Sequence, residues 1–186
     1  MPENDRDLIL RAKKGDMDAF EMLYSGNTGR MYNVALRILG SDSDAQDAVQ
    51  DAMLKAWRAL HTFKFRSAFS TWLYRILVNT CNDMLKKNKK NVISLERLQQ
   101  DGIEPAQEGF ERYSIQRDVI AQVLLRLSPE HREILVLRDV QGMAYEEISE
   151  ILSVPLGTVR SRINRARENF KKLYFAHGTN EYQSGS

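Results

Sequence analysis

The chain has 186 residues, 42% hydrophobic and 28% charged, with 10 Gly and 4 Pro, the composition of a globular protein rather than a disordered or fibrous one. Its longest apolar runs, Ile134 to Leu137 and Leu173 to Ala176, fall far short of the roughly twenty residues that cross a bilayer. The opening MPENDRDLILRAKKG has no signal-like apolar stretch, so a cytoplasmic protein without membrane insertion is expected. One cysteine, Cys81, excludes an internal disulfide and a cysteine-based zinc cluster, and His61, His131 and His177 are too scattered to replace one; no metal or other cofactor is expected.

Net charge is only +2, yet it is unevenly distributed. Residues 1 to 91 carry 15 Lys and Arg against 11 Asp and Glu, residues 92 to 115 carry 2 against 5, and residues 116 to 186 carry 10 against 9. Within the last block, residues 157 to 172 hold six bases and a single acid, Glu168. One short segment therefore concentrates the positive charge, which suits a polyanionic partner.

Apolar residues recur at three and four along nearly the whole chain, so the expected fold is all-α, with two small helical domains joined by a flexible linker. Phe20, Leu23 and Tyr24 share one helical face, and Met31, Ala35, Ile38 and Leu39 share another. Gly40 ends that helix, and Ser41 to Asp44 offers N-cap residues for the next. From Asp44 to Leu60, Ala45, Ala48, Val49, Ala52, Met53, Ala56, Trp57 and Leu60 make a single apolar stripe. Trp72, Leu73, Ile76, Leu77 and Thr80 continue the pattern up to the basic run Lys86 to Lys90. Cys81 falls beside this stripe and is read as a small buried side chain. Residues 1 to 91 thus form the first domain.

From 92 to 115 the periodicity fades, and Gly102, Pro105 and Gly109 lie among acids and glutamines, the signature of a linker; fully extended it would reach about 80 Å. The second domain, residues 116 to 176, has four helical segments, and residues 177 to 186 read as a disordered tail. Ser128 and Pro129 open one of these helices as N-cap and first residue, and Gly142 closes it. Two helices then meet at a tight join, Ala144 to Leu152, Ser153 to Leu156 and Gly157 to Arg167, which reads as a helix-turn-helix. Ile148, Ile151, Leu152, Val159, Ile163 and Ala166 supply its seam, leaving Arg160, Ser161, Asn164, Arg165 and Lys171 to face outward. Arginine forks match guanine edges and phosphates. The acidic first helix would be repelled by DNA, so the second is the one expected in the groove.

A second cluster interleaves rings and cations: Phe63, Lys64, Phe65, Arg66, Phe69, Trp72, Tyr74 and Arg75. Single-stranded nucleic acid is held by such a mixture, because bases stack on rings while cations follow phosphates. Asn79, one turn beyond Arg75, has the amide needed to pair with an extruded base. Core packing is the competing account of Phe69, Trp72 and Leu73. A third feature is the polar side of the 44 to 60 helix, where Leu54 stands among Asp47, Gln50, Asp51 and Arg58, the pattern of a partner surface.

These three features, in this order and spacing, resemble the sigma-70 family, specifically its extracytoplasmic-function members, over roughly residues 7 to 175. Asp44 to Met53 resembles the family's core-polymerase-binding motif, which implies contacts from Asp44, Asp47, Gln50, Asp51, Leu54 and Arg58 to the clamp helices of the beta-prime subunit. Phe69 to Ile76 with Val78 to Thr80 resembles the segment that melts and reads the -10 element; Asn79 and the loop from Phe63 to Ala68 would hold its bases. Tyr145 to Arg162 resembles region 4, whose second helix reads the -35 element, which implies a -35 DNA-binding set of Thr158, Arg160, Ser161, Arg162, Asn164, Arg165 and Lys171; Arg160, Ser161, Asn164 and Arg165 would read bases, while Arg162, Arg167, Lys171 and Lys172 would pack or neutralise phosphates. Gln46 and Asp51 depart from the family's usual Glu, and position 164 is variable in the family. The resemblance implies a transcription initiation factor rather than an enzyme. Its partners would be core RNA polymerase, including the beta flap, double- and single-stranded promoter DNA, and a cognate anti-sigma factor released by a stress signal. The alternative is a helix-turn-helix regulator that binds duplex DNA alone.

Overall fold

The structure, a computed structural model, describes residues 3–100 and 119–181. Every regular element among them is helical. Helices α1 (Glu3–Ala12), α2 (Met17–Leu39), α3 (Asp42–Ala59) and α4 (Phe69–Gln100) form the first half, with a 3-10 turn at Leu60–Thr62. Helices α5 (Val119–Arg126), α6 (Pro129–Leu135), α7 (Tyr145–Leu152) and α8 (Leu156–Glu181) form the second, with a π-helical turn, Val136–Val140, after α6.

Local chemistry sets the boundaries. The Asp16 side chain accepts from the Ala19 N–H at 3.0 Å to start α2, and Ser41 accepts from the Asp44 N–H at 3.3 Å to start α3. Gly40 ends α2 in the left-handed region, φ 75°. Pro129 takes the first position of α6 as expected; Ser128 stands at its N-cap but makes no side-chain cap bond, and its carbonyl instead accepts from the His131 and Arg132 N–H groups.

Two helices run on into segments expected to be linker and tail. Helix α4 runs through Gln100, well into the segment read as linker, because Leu95, Glu96, Arg97, Leu98, Gln99 and Gln100 are all good helix formers and the first breaker is Gly102. Helix α8 likewise continues to Glu181, past the expected start of the tail. The rest of the expected linker, 101–115, and residues 182–186 lie outside the described residues.

In the first half Ile9, Met31, Val34, Ile38, Leu73 and Leu77 are fully buried. The Tyr24 hydroxyl donates to the Val49 carbonyl at 2.7 Å, and burial pushes its pKa up to about 12. In the second half Ile134, Leu137, Ile148, Ile151, Val159 and Ile163 are fully buried. The two cores are continuous: α2 packs on α5, α6 and the π turn, and α4 packs on α7.

The seam between the halves is polar as well as apolar. Arg132 of α6, 8% exposed, donates to the Ile38 carbonyl at 2.5 Å across the seam and to Leu124, Leu125 and Leu127 within its own half. Gly40 faces Leu125 so closely that a Cβ there would lie 2.6 Å from Leu125 Cδ2. Gly40→Ala is expected to cost about 1–2 kcal/mol in a denaturant titration, chiefly from the left-handed φ, with Leu125 shifting to relieve the contact.

Glu133, beside Arg132, is also buried. Burial raises its pKa above the usual carboxylate value, against the lowering effects of an Asn82 hydrogen bond and of Arg162; Glu130 adds to the rise and Arg132 opposes it. A carboxyl whose folded pKa is raised binds more protons folded than unfolded, so its ionised form costs stability above the folded pKa and the cost disappears as pH falls through it. Glu133→Gln is therefore expected to raise the melting temperature at neutral pH, with a gain that shrinks on acidification.

Candidate polymerase and nucleic-acid interfaces

Helix α3 buries Ala45, Ala48, Ala52 and Ala56 completely against the bundle. Small side chains on that face let α3 sit close to its neighbours, and the opposite face projects as a ridge. Asp47, Gln50, Asp51, Leu54 and Arg58 are exposed along it, with Asp44 half-buried at its start. Leu54 is 43% exposed. Beside the ridge, α2 and α3 bound an open groove of about 830 Å³ lined by Phe20, Tyr24, Val49, Met53, Leu54 and Trp57. Met17, at its rim, is 60% exposed.

This groove lies outside the surfaces that the sequence predicts. Met53 and Trp57 read as core from the stripe, yet both stop half-buried at its floor. The available signal was Met17, Phe20 and Tyr24, one helical face of α2 with a large side chain on each turn. Tyr32, also at the groove, donates its phenol to Asp42, and that bond raises the Tyr32 pKa.

The ring-and-cation segment divides into a buried and an exposed set. Phe63, Phe69 and Tyr74 are 3%, 3% and 4% exposed. Phe63 meets Phe69 edge to face at 5.7 Å and lies 5.4 Å from Trp72, so these rings pack mainly on one another. Burial raises the Tyr74 pKa, with Arg30 opposing. Lys64, Arg66, Arg75 and Asn79 are exposed, and Phe65 and Trp72 are half-buried. Core packing thus accounts for three of the five candidate aromatics, Phe63, Phe69 and Tyr74, and for Leu73, while Trp72 is only half-buried and the cations and Asn79 stay exposed.

On α8, Val159, Ile163 and Ala166 are fully buried, and Arg160, Ser161, Asn164, Arg165 and Lys171 are exposed. Thr158 is half-buried at the start of the helix, and its carbonyl accepts from the Ser161 hydroxyl at 3.1 Å. Arg162 points instead toward α6 and pairs with Glu130 at 3.5 Å, its side chain 23% exposed. Arg167 pairs with Asp139 at 2.5 Å. The turn before α8 is fixed by Ser153 in the left-handed region, φ 55°, and by the Ser149 hydroxyl, which donates to the Val154 carbonyl at 2.6 Å. No described helix is long and apolar enough to cross a membrane.

Comparison with known proteins agrees with both halves. The sigma-70 region 2 family matches residues 23–91, and the sigma-70 region 4 family matches residues 117–170. The chain is 38% identical to the ECF RNA polymerase sigma-E factor of Escherichia coli (strain K12), over 88% of this chain and 91% of that protein. Among solved structures it is similar to CnrH in complex with the cytosolic domain of CnrY, at TM-score 0.69 and 27% identity over 94% of this chain and 99% of that one. It is also similar to the sigma factor RpoE of Bartonella quintana in complex with the anti-sigma factor NepR, at TM-score 0.64 and 28% identity over 85% of this chain and 96% of that one.

Proposed function

The chain belongs to the sigma-70 family as an extracytoplasmic-function RNA polymerase sigma factor, and from this premise we propose how its surfaces divide the work of promoter-specific initiation. The α3 ridge and its groove dock on core polymerase, with Leu54 as the apolar anchor and Asp47, Gln50, Asp51 and Arg58 around it. Asp44 acts at the head of the same helix. The exposed set Lys64, Arg66, Arg75 and Asn79, with the half-buried Phe65 and Trp72, engages the opened -10 strand. Phe63, Phe69 and Tyr74 serve that site from beneath, as the packed base that holds the others in place. Arg160, Ser161, Asn164 and Arg165 read the -35 element in the major groove, with Thr158 and Lys171 at its phosphates and Arg162 holding α8 against α6.

The observation that carries this division is the two-sidedness of α8: four polar readers face solvent while Val159, Ile163 and Ala166 on the reverse are fully buried. A helix so anchored presents its polar face rigidly, which base readout requires. The chain performs no bond-making step in this scheme. Melting is driven by binding free energy, with captured bases offsetting the few kcal/mol that each unstacked nucleotide costs.

Geometry adds one demand. Elements about 25 bp apart are separated by roughly 85 Å, whereas a compact chain of this length is about 40 Å across. To contact both elements at once, α5–α8 must leave the α2 and α4 face on which they rest. The Bartonella relative was solved with an anti-sigma factor, and we propose a partner of that kind for this chain, acting in the cytoplasm, where polymerase and DNA are found.

Run-off transcription with core enzyme on genomic fragments tests the scheme: new, chain-dependent start sites are expected. Tight sequence-specific duplex binding by the chain alone, with no effect on start sites, would favour the stand-alone regulator. At finer grain, Arg165→Ala is expected to cost about 1–3 kcal/mol of promoter affinity and to flatten the response to base changes within the -35 element, measured by holoenzyme binding to substituted promoters.

A further inference from the structure

The loop from Phe63 to Ala68 is held by a helix that the region 2 match, residues 23–91, does not include. Phe65 adopts φ 56°, a left-handed conformation that is an outlier for a bulky side chain. Strain of this kind persists only where surrounding contacts impose it, and it concentrates at functional sites. The contacts here come from α1 and the residue after it. Lys13 Nζ donates to the Phe63 carbonyl at 2.6 Å, across fifty positions of sequence. The same ammonium lies 5.3 Å from the centre of the Phe65 ring, and the Arg6 guanidinium lies 5.5 Å from it. Arg6 and Lys13 stand two helical turns apart on one face, and α1 is itself anchored through the buried Leu8, Ile9 and Ala12.

Two cations, Arg6 in α1 and Lys13 directly after it, therefore converge on one half-buried ring in a strained loop. Each is within the range of a cation–π contact, and Lys13 adds a charge-assisted hydrogen bond that fixes the backbone two residues away. A ring flanked by cations is the arrangement that takes a base by stacking while neutralising the adjoining phosphates.

Resting on the reading of the 63–79 segment as the -10 site, we propose that Arg6 and Lys13 are positioning residues for that site: they hold Phe65 in its left-handed conformation so that its ring receives an unstacked base of the opened strand. Helix α1 is then part of the DNA-opening apparatus, and the Phe65 ring and the Lys13 ammonium act as one unit.

The test uses the full chain with core polymerase on a promoter fragment whose start site the wild-type chain defines, with permanganate reactivity of unpaired thymines as the readout. Lys13→Ala is expected to lower opening roughly tenfold, while core binding stays unchanged and the melting temperature of the free chain falls by only a few degrees. Phe65→Ala should give a comparable loss, and the double variant should be no worse than Phe65→Ala alone, because the cation acts through the ring. Lys13→Arg, which keeps charge and donor, should restore most of the opening. Normal opening by Lys13→Ala would overturn the proposal, as would losses that multiply in the double variant, or a Lys13→Ala defect matched by equal losses of core binding and thermal stability. If the wild-type chain defines no start site, the sigma-factor reading falls, and this proposal with it.

Discussion

Replacing Arg132 with alanine is expected to destabilise the protein by about 3–5 kcal/mol, more than any other single change at the seam. Arg132 is 8% exposed, and its guanidinium gathers four backbone carbonyls: Ile38 from α2, and Leu124, Leu125 and Leu127 from α5 and the turn after it. Desolvation lowers its pKa, but a guanidinium remains charged across the accessible pH range, so these are charge-assisted bonds. Truncation leaves the carbonyls partly buried without this donor and opens a void where the side chain lay. In a chain of this size the loss corresponds to a fall in Tm of about 10–15 °C, read by circular dichroism. Arg132→Lys should recover only part of it, since an ammonium has neither the reach nor the planar fork to serve carbonyls on two elements. A melt within about 2 °C of wild type would show that the seam is held by apolar packing alone.

That seam marks the limit of what the sequence disclosed. The helices were legible because each has a strong local signal: an apolar stripe on α3, Gly40 and Ser41 at a boundary, Pro129 at a helix start, and the acidic-then-basic pair α7 and α8. The polar readers on α8 were legible for the same reason, since Val159, Ile163 and Ala166 fix which side is buried. Periodicity says that a face is covered, however, and not by what. Arg132 and Glu133 carry no local mark that distinguishes them from solvated helix charges; they are buried because α2 and α4 meet α6 and α7, a contact between residues far apart in the chain. For Arg162 the sequence allows either packing or phosphate neutralisation, and it is Glu130, thirty-two positions away, that stands beside it. In the 63–75 segment the ring-and-cation pattern was visible, but which rings would be consumed by the core depended on Phe63 turning back onto Phe69 and Trp72. The groove beside α3 needed the spacing of two helices, which no single helix encodes.

Asn79→Ala is expected to abolish most promoter opening while leaving polymerase binding intact. Asn79 is exposed on α4, one turn beyond the exposed Arg75, and its neighbours Val78 and Thr80 are buried. Thr80 is fixed from two sides: its hydroxyl donates to the Ile76 carbonyl at 2.9 Å and accepts from Lys55 Nζ at 3.0 Å. The backbone under Asn79 is thereby pinned to α3, so the amide is presented from a rigid helix rather than from a loop, and little ordering entropy is spent when a base arrives. A carboxamide offers both a donor and an acceptor, enough to pair with one edge of a flipped base, and such a pair contributes about 1–3 kcal/mol of discrimination. Removing it should slow opening roughly 5- to 150-fold and flatten the response to substitution at one -10 position, while the α3 ridge, whose own side chains are unchanged, keeps its affinity for core enzyme. Permanganate footprinting beside a core-binding titration separates the two effects. A variant that loses polymerase binding but opens normally whatever holoenzyme it forms would move Asn79 out of the DNA site and into the docking surface.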